Sequence, residues 1–148
     1  MSMASKPPLS DPRTIHASTV ALNGRGCLIL GPSGTGKSTL ALQLMAHGAV
    51  LVADDQTTLV ARDGALIASA PPVLQGKIEA RGIGLLRAQF LSEAPLHLAV
   101  DLGRPEPDRY PSAHLWSAEN IALPLVLAGG SAQAWLGILQ YLKEGRDI

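Results

Sequence analysis

The stretch from Gly31 to Ser38 reads GPSGTGKS and has the pattern G-x-x-x-x-G-K-S of a phosphate-binding loop. Its glycines let the backbone fold tightly enough for successive N–H groups to point at one anion. The apolar run Cys27–Leu30 precedes the loop and a helical pattern comes after it, so a helix N-terminus adds to the attraction for phosphate. Lys37 can then reach the β- and γ-phosphates, and the Ser38 hydroxyl can ligate Mg²⁺. The stretch predicts a nucleoside triphosphate site. The residues that we assign to nucleotide binding are Gly31, Pro32, Ser33, Gly34, Thr35, Gly36, Lys37, Ser38 and Thr39.

Two adjacent carboxylates are candidates for phosphoryl transfer, which depends mostly on positioning and on neutralising charge. Asp54 and Asp55 come directly after the short apolar run Val50–Ala53, which we expect to form a strand beside the strand of the loop. They would then project at the carboxyl ends of the strands, where the phosphates lie. Because neighbouring side chains leave a strand on opposite sides, the two should have different roles, one facing the metal or the acceptor hydroxyl. The structural alternative is a solvated pair.

Four further residues give weaker signals. Glu79 and Arg81 lie in the glycine-rich segment 75–84 and point the same way if that segment is extended, so an acid for the metal and a base for the phosphate could meet there. A charged, solvated loop is the structural alternative. His16, fifteen residues before Gly31, and Arg109, in a proline-flanked loop, would by themselves be interpreted as surface residues.

The composition describes one folded unit. A chain of 148 residues holds one core, and 47% hydrophobic with 16% charged residues is not the composition of a disordered chain. The formal net charge is zero and there is no basic stripe, so nucleic acid is not expected as a partner. Apolar stretches are interrupted before they could span a bilayer, and the single Cys27 has no disulfide partner. We expect a cytoplasmic protein without a membrane partner.

Hairpin signals and few helical patterns predict a strand-rich α/β scaffold. Asn23-Gly24 and Asp63-Gly64 are typical of tight turns between antiparallel strands. Residues 1–13 are interpreted as a flexible arm and residues 14–148 as one P-loop domain. The predicted strands are Ile15–Leu22, Gly26–Leu30, Val50–Ala53, Thr58–Arg62, Ala65–Ser69, Leu96–Leu102 and Ile121–Leu127, and the predicted helices run from the loop to His47 and over Ala132–Lys143.

From residue 16 to residue 143 the chain resembles the C-terminal catalytic domain of the HPr kinase/phosphorylase family. The resemblance rests on His16, on the loop, on the phrase LVADD ending at Asp55, and on IEARGIG over Ile78–Gly84, which is similar to the family's I-E-I-R-G-L-G. The double Asp followed by E-x-R-G-x-G is its specific part. It implies that residues 14–148 are the family's P-loop kinase domain, in a short form lacking the N-terminal domain, with a fold similar to that of phosphoenolpyruvate carboxykinase.

The resemblance also implies an activity. The family members are ATP- and Mg²⁺-dependent kinases that phosphorylate a serine of the phosphocarrier protein HPr, in regulation of carbon or nitrogen use through the phosphotransferase system, and they are typically homohexamers. By position, Asp55 matches the carboxylate that takes the proton of that serine. Ser38 and Glu79 match the metal ligands, to which we add Asp54. The catalytic residues implied are Asp55, His16, Lys37, Arg81 and, in a less similar loop, Arg109.

One segment departs from the family. A V-P-V-K-P-G-R-like stretch is tied to dephosphorylation, whereas Leu123–Gly129 reads LPLVLAG and has no Lys or Arg. Loss of a cation from a phosphate-handling loop should weaken the phosphorylase reaction most. We therefore expect an intact kinase with a reduced or lost phosphorylase activity.

Two other functions are consistent with the residues alone. A small-molecule kinase could use the same scaffold, provided that it has a pocket for its acceptor. A nucleotide-binding regulatory module without transfer activity needs only the loop, and the presence of Asp55, Glu79 and Arg81 argues against it.

Overall fold

The computed structural model describes residues 11–147, which form eleven strands, two α-helices and one 3-10 turn. The strands are β1 (Arg13–His16), β2 (Ser18–Leu22), β3 (Arg25–Leu30), β4 (Val50–Ala53), β5 (Gln56–Arg62), β6 (Ala65–Ser69), β7 (Lys77–Ala80), β8 (Gly84–Arg87), β9 (Ala94–Asp101), β10 (His114–Ala118) and β11 (Ile121–Leu127). The helices are α1 (Lys37–Met45) and α2 (Ala134–Glu144), and the 3-10 turn is Pro72–Leu74.

The main sheet has the strand order β1-β5-β6-β9-β3-β2-β4, with β11 also paired to β9 and β10 paired to β11, while β7 and β8 form a separate hairpin. β9 runs parallel to β3 and to β11. β2 runs antiparallel to both β3 and β4, so β4 points in the same direction as β3. The carboxyl ends of β4, β3, β9 and β11 therefore lie at one edge of the sheet, which we call the carboxyl edge.

This order corrects one expectation. The strand Val50–Ala53 does not lie beside the strand of the loop, because β2 pairs with both and separates them. The hairpin turn at Asn23-Gly24 folds β2 back along β3, and that places β2 in the neighbouring position. The carboxyl ends of β3 and β4 still lie at the same edge of the sheet, as expected, because β2 runs antiparallel to both of them.

Side-chain alternation along β3 divides the core into two layers. Cys27 and Ile29 pack on one face with α1 and α2, whereas Leu28 packs on the other face with β5 and β6. Burial raises the pKa of the Cys27 thiol to about 12, so Cys27 is the buried, neutral thiol that its place in a strand predicts. The packing of α1 on β3 fixes both ends of the loop between them.

The strand-rich α/β prediction is confirmed, one predicted strand is divided in two, one open alternative is decided and one strand is missed. The segment 15–22 is two strands rather than one, because the chain breaks at Ala17, whose N–H donates to the Asp55 carbonyl. Within residues 75–84, the part that carries Glu79 is extended, as one of the two alternatives had it, since β7 pairs with β8 in a hairpin. The strand β10 lies in a stretch for which the sequence patterns predict no strand.

The flexible arm expected over 1–13 falls mostly on residues 1–10, which lie outside the described residues, and β1 begins at Arg13. Neither α-helix of the described chain has the length and apolar character needed to cross a membrane.

Candidate functional site

A cavity of about 300 Å³ lies at the carboxyl edge, where the start of α1, the end of β4 and the β7–β8 hairpin meet. We call it the edge cavity. It brings together residues from four separate parts of the sequence, including most of those singled out by their type and spacing. Its lining residues are His16, Ser33, Gly34, Gly36, Lys37, Ser38, Thr39, Asp54, Asp55, Glu79 and Arg81.

The loop has the conformation that its glycines allow. Gly34 and Gly36 have φ values of +85° and +96°, in the left-handed region that side chains with a Cβ rarely adopt. A Cβ on Gly31 would lie 2.6 Å from Oγ1 of Thr35, and that hydroxyl donates to the Pro32 carbonyl at 2.7 Å. The first N–H groups of α1 have no partner within the helix, so they are available to an anion at this point.

The Lys37 ammonium is held inside the loop. Lys37 is 7% exposed, and its Nζ donates to the carbonyl oxygens of Gly31 at 2.8 Å and Pro32 at 3.1 Å. An ammonium has three donors, so one remains for a phosphate oxygen. The side chain therefore lies ready in the edge cavity as a fixed positive charge.

Asp54 is the buried member of the carboxylate pair, with 6% exposure. Its Oδ1 accepts hydrogen bonds from Ser18 Oγ at 2.8 Å and from Ser38 Oγ at 2.7 Å, and its Oδ2 accepts from the Glu79 N–H at 3.0 Å. These bonds tie β2, α1 and β7 to the end of β4. Asp54 thus fixes the hydroxyl of the loop and the main chain that carries Glu79.

Ser18 is a residue that sequence reasoning missed. It is fully buried, donates to Asp54, and accepts the N–H of Asp55 at 3.2 Å, so one hydroxyl contacts both members of the pair. Its position depends on the pairing of β2 with β4, which contains a register shift between Thr19 and Val20. A serine in a β-rich run gives no sign of this contact in the sequence.

Asp55 is exposed and points away from Asp54. Its Oδ1 lies 2.9 Å from Nε2 of His16, which comes from the end of β1. Asp55 has φ +67°, and a non-glycine residue held in that region carries strain of the kind found at functional sites. The two carboxylates thus differ in environment although both line the edge cavity: Asp54 is buried and accepts three hydrogen bonds, whereas Asp55 is exposed beside His16.

The oxygen donors in the edge cavity fit a Mg²⁺ ion. Ser38 Oγ and the carboxylates of Asp54 and Glu79 are hard ligands, and Mg²⁺ is usually held by one or two carboxylates together with water and phosphate oxygens. No group of three or more His, Cys, Asp or Glu side chains that could hold a metal occurs within residues 11–147. The donor set therefore fits an ion that is completed by a phosphate and not a closed protein site.

Arg81 lines the edge cavity at the turn of the β7–β8 hairpin, but Arg109 does not. Arg109 is exposed in the loop after β9, and its guanidinium lies 5.7 Å from the ring centroid of Tyr110. The structure thus brings together four of the five predicted catalytic residues. Of the predicted nucleotide-binding residues, Gly31, Pro32 and Thr35 shape the loop without lining the cavity.

Comparison with known proteins gives a consistent result. The sequence model of the HPr Serine kinase C-terminal domain matches residues 8–94. The chain is 36% identical over 102 residues to the HPr kinase/phosphorylase of Clostridium novyi and 34% identical over 109 residues to that of Lacticaseibacillus casei. These alignments cover 64% and 68% of the chain but only 33% and 34% of the relatives, so the chain spans about a third of their length.

A solved structure is similar over most of the chain. The Hpr(Ser) kinase/phosphatase from Coxiella burnetii superposes with a TM-score of 0.78 at 27% sequence identity, covering 88% of each chain. The strand-rich architecture with few helices is therefore shared with that protein.

Proposed function

The chain belongs to the family of the HPr Serine kinase C-terminal domain, and on that premise we propose that it is an ATP- and Mg²⁺-dependent kinase that phosphorylates a serine of HPr. One observation carries the proposal: the loop lysine Lys37, the bonded pair Ser38–Asp54 and the exposed carboxylate Asp55 converge on one cavity. A protein that only binds nucleotide would need no exposed acid at that position.

Asp55 is the proposed general base. The serine oxygen attacks the γ-phosphorus, its proton passes to Asp55, the bond to the β-phosphate oxygen breaks, and ADP leaves. His16, bonded to the carboxylate at 2.9 Å, orients it, and the main-chain bond to Ser18 fixes its backbone. Lys37 and Arg81 supply positive charge for the transferred phosphoryl group.

Ser38, Asp54 and Glu79 are the residues that would hold Mg²⁺. When bound, the ion neutralises charge on the β- and γ-phosphate oxygens. The chain's own contribution is to hold Ser38 and the main chain of Glu79 in position before the ion binds, since Asp54 accepts a hydrogen bond from each of them.

A protein acceptor is favoured over a small molecule by the surface beside the edge cavity. Large apolar side chains are exposed before and within the hairpin that carries Glu79 and Arg81, namely Val73 before it and Ile83 and Leu85 within it, at 76%, 77% and 65% exposure. Exposed apolar residues grouped beside a site are typical of surfaces that bind proteins. We propose HPr as the acceptor in the cytoplasm, and a homo-oligomer as the working form.

The proposed direction of the reaction is phosphorylation, with phosphorolysis reduced or lost. Residues 123–127 lie within β11, and a Cβ on Gly129 would come within 2.7 Å of the Arg104 backbone. That close approach leaves no room for a Lys or Arg side chain at Gly129. The segment 123–129 therefore lacks the family's cation and could not accept one at this position without a shift of the backbone. Turnover of phospho-HPr with inorganic phosphate at a rate comparable to the kinase reaction would contradict this proposal.

The central test measures the mass of HPr after incubation with the protein, ATP and Mg²⁺. We expect one added phosphoryl group with the wild type and about 10²–10⁴-fold slower transfer with Asp55→Asn. Asn tolerates the left-handed backbone, so this change removes the base without adding strain. Asp63→Asn is the matched control, because Asp63 also has a left-handed φ of 51° but lies in the β5–β6 turn.

The outcomes separate the three functions. Unchanged transfer by Asp55→Asn contradicts the role of Asp55 as base. ATP binding without transfer to HPr indicates a regulatory module if no other acceptor is phosphorylated, and a small-molecule kinase if a low-molecular-weight acceptor is.

A further inference from the structure

A second cavity, of about 250 Å³, lies between α1 and α2. We call it the α1–α2 cavity. Gly36 and Thr39 line both this cavity and the edge cavity, so the two meet at the start of α1. Its lining residues are Thr35, Gly36, Thr39, Leu40, Gln43, Leu102, Ser131, Ala132, Ala134 and Trp135.

The direction in which a bound triphosphate must lie points to this cavity. The γ-phosphate end belongs beside Asp55 and Glu79, at the β4 end of the carboxyl edge. The α- and β-phosphates lie against the N–H groups of the loop, so the rest of the nucleotide must leave on the other side. On that side of β3 lie β9 and β11, and two residues from the segments after these strands, Leu102 and Ser131, line the α1–α2 cavity.

We propose that the α1–α2 cavity binds the adenine base of the nucleotide and that Gln43 reads its edge. The proposal rests on the proposed function, because it takes the triphosphate to lie in the loop. It adds the base specificity that a phosphate-binding loop cannot supply, since that loop contacts phosphates only.

The lining favours adenine over guanine. Thr39 and Gln43 are four residues apart on α1 and therefore share one face of that helix. The Gln43 amide presents an acceptor and a donor side by side, the arrangement that pairs with N6 and N7 of adenine. On the same edge guanine presents two acceptors, O6 and N7, so the amide oxygen of Gln43 would face another acceptor and one of the two hydrogen bonds would be lost.

Trp135 gives the cavity a flat apolar wall. Its indole is half-buried against the core, and one face stacks on the His47 ring with centroids 4.8 Å apart and planes at 15°. This stack holds the indole in one orientation across the α1–α2 contact. Aromatic side chains held in this way bind bases by stacking.

Binding is measured with ATP, GTP and inorganic tripolyphosphate, each with Mg²⁺, on the full chain in a Trp116→Phe background, which leaves Trp135 as the fluorescent tryptophan. We expect ATP to bind about tenfold or more tightly than tripolyphosphate and to change the Trp135 emission, whereas tripolyphosphate leaves the emission unchanged. GTP should bind more weakly than ATP.

Gln43→Leu tests the edge contact without opening the core, and Gln140→Leu, an exposed glutamine on α2, is its control. Gln43→Leu should weaken ATP binding about tenfold and leave tripolyphosphate binding unchanged. Equal binding of ATP and tripolyphosphate by the wild type, or an equal loss of both in Gln43→Leu, overturns the base site.

The outcomes also separate this proposal from the function on which it rests. If neither ATP nor tripolyphosphate binds, both fail. If ATP binds with the expected preference and HPr is not phosphorylated, the kinase assignment fails and the base site stands. If HPr is phosphorylated equally well from ATP and GTP by both the wild type and Gln43→Leu, only the base site fails.

Discussion

The two ends of the carboxyl edge use their acidic residues in different ways. At the β4 end, Asp54 bonds side chains from β2 and α1, and Asp55 is left facing a cavity. At the β9 end, Asp101 closes its own loop, accepting from the Gly103 N–H at 2.7 Å and from Arg104 Nε at 2.8 Å. The same sheet edge thus has one end equipped for chemistry and one end whose carboxylate serves the fold.

The difference arises from the length of the connection after each strand. After β4 the chain turns at once through the left-handed residue Asp55 into β5, so its carboxylates have no loop of their own to satisfy. After β9 a loop of several residues supplies N–H groups, and Asp101 bonds two of its members. An acid at a strand end is available for catalysis where the next turn is too short to use it.

Of the changes that test this difference between the two ends, Asp54→Asn should slow transfer to HPr the most. The change removes the buried charge that fixes Ser38 and Glu79, and we expect transfer to HPr to slow by about 10²–10³-fold. Asp101→Asn is the matched change at the other end, where the loss of activity should stay below about tenfold. The initial rate of HPr phosphorylation, followed by mass spectrometry, measures the loss in each variant. Similar losses in Asp54→Asn and Asp101→Asn would contradict the assignment of chemistry to the β4 end alone.

Ser18→Ala should have an intermediate effect. It leaves Asp54 and Asp55 in place but removes the hydroxyl that contacts both, and loss of such a supporting contact typically costs about 10–100-fold in metal affinity or activity. The Mg²⁺ concentration for half-maximal rate measures it. Thr19→Val is the control on the same strand, because it breaks the buried contact to Thr57 and should lower the melting temperature without changing the Mg²⁺ dependence.

The sequence predicts those parts of the fold that are marked by a pattern of neighbouring residues. The hairpins at Asn23-Gly24 and Asp63-Gly64 are predicted because glycine marks the left-handed turn. The β10–β11 turn uses Glu119 and Asn120, at φ 51° and 61°, and without a glycine β10 is missed.

The candidate site divides in the same way. The loop and the double aspartate are contiguous patterns, and the structure places residues of both in the lining of the edge cavity. Ser18 meets Asp54 across 36 residues of sequence, through a pairing that contains a register shift, and no local pattern contains that information. The α1–α2 cavity likewise depends on where α2 packs, which the periodicity of the helix does not give.

The smallest expected effect concerns the β9–β11 end, where Glu106 should contribute to stability and not to chemistry. The hydrogen bond from His114 Nε2, at 2.7 Å, lowers the pKa of Glu106 below its ordinary value of about 4.3. The folded state therefore binds this proton more weakly than the unfolded state, so the stabilisation is present above the ordinary pKa and is lost as the pH falls through the lower folded value. Glu106→Gln should lower the melting temperature by about 1–2 °C at pH 7, converge with the wild type as the pH falls through the lowered pKa of Glu106, and leave transfer to HPr unchanged. In a His114→Gln background the same change should have a smaller effect at pH 7, since the partner is already gone. A melting-temperature difference that persists at low pH, or a large fall in transfer rate, would show that Glu106 acts in another way and that the β9–β11 end takes part in the reaction.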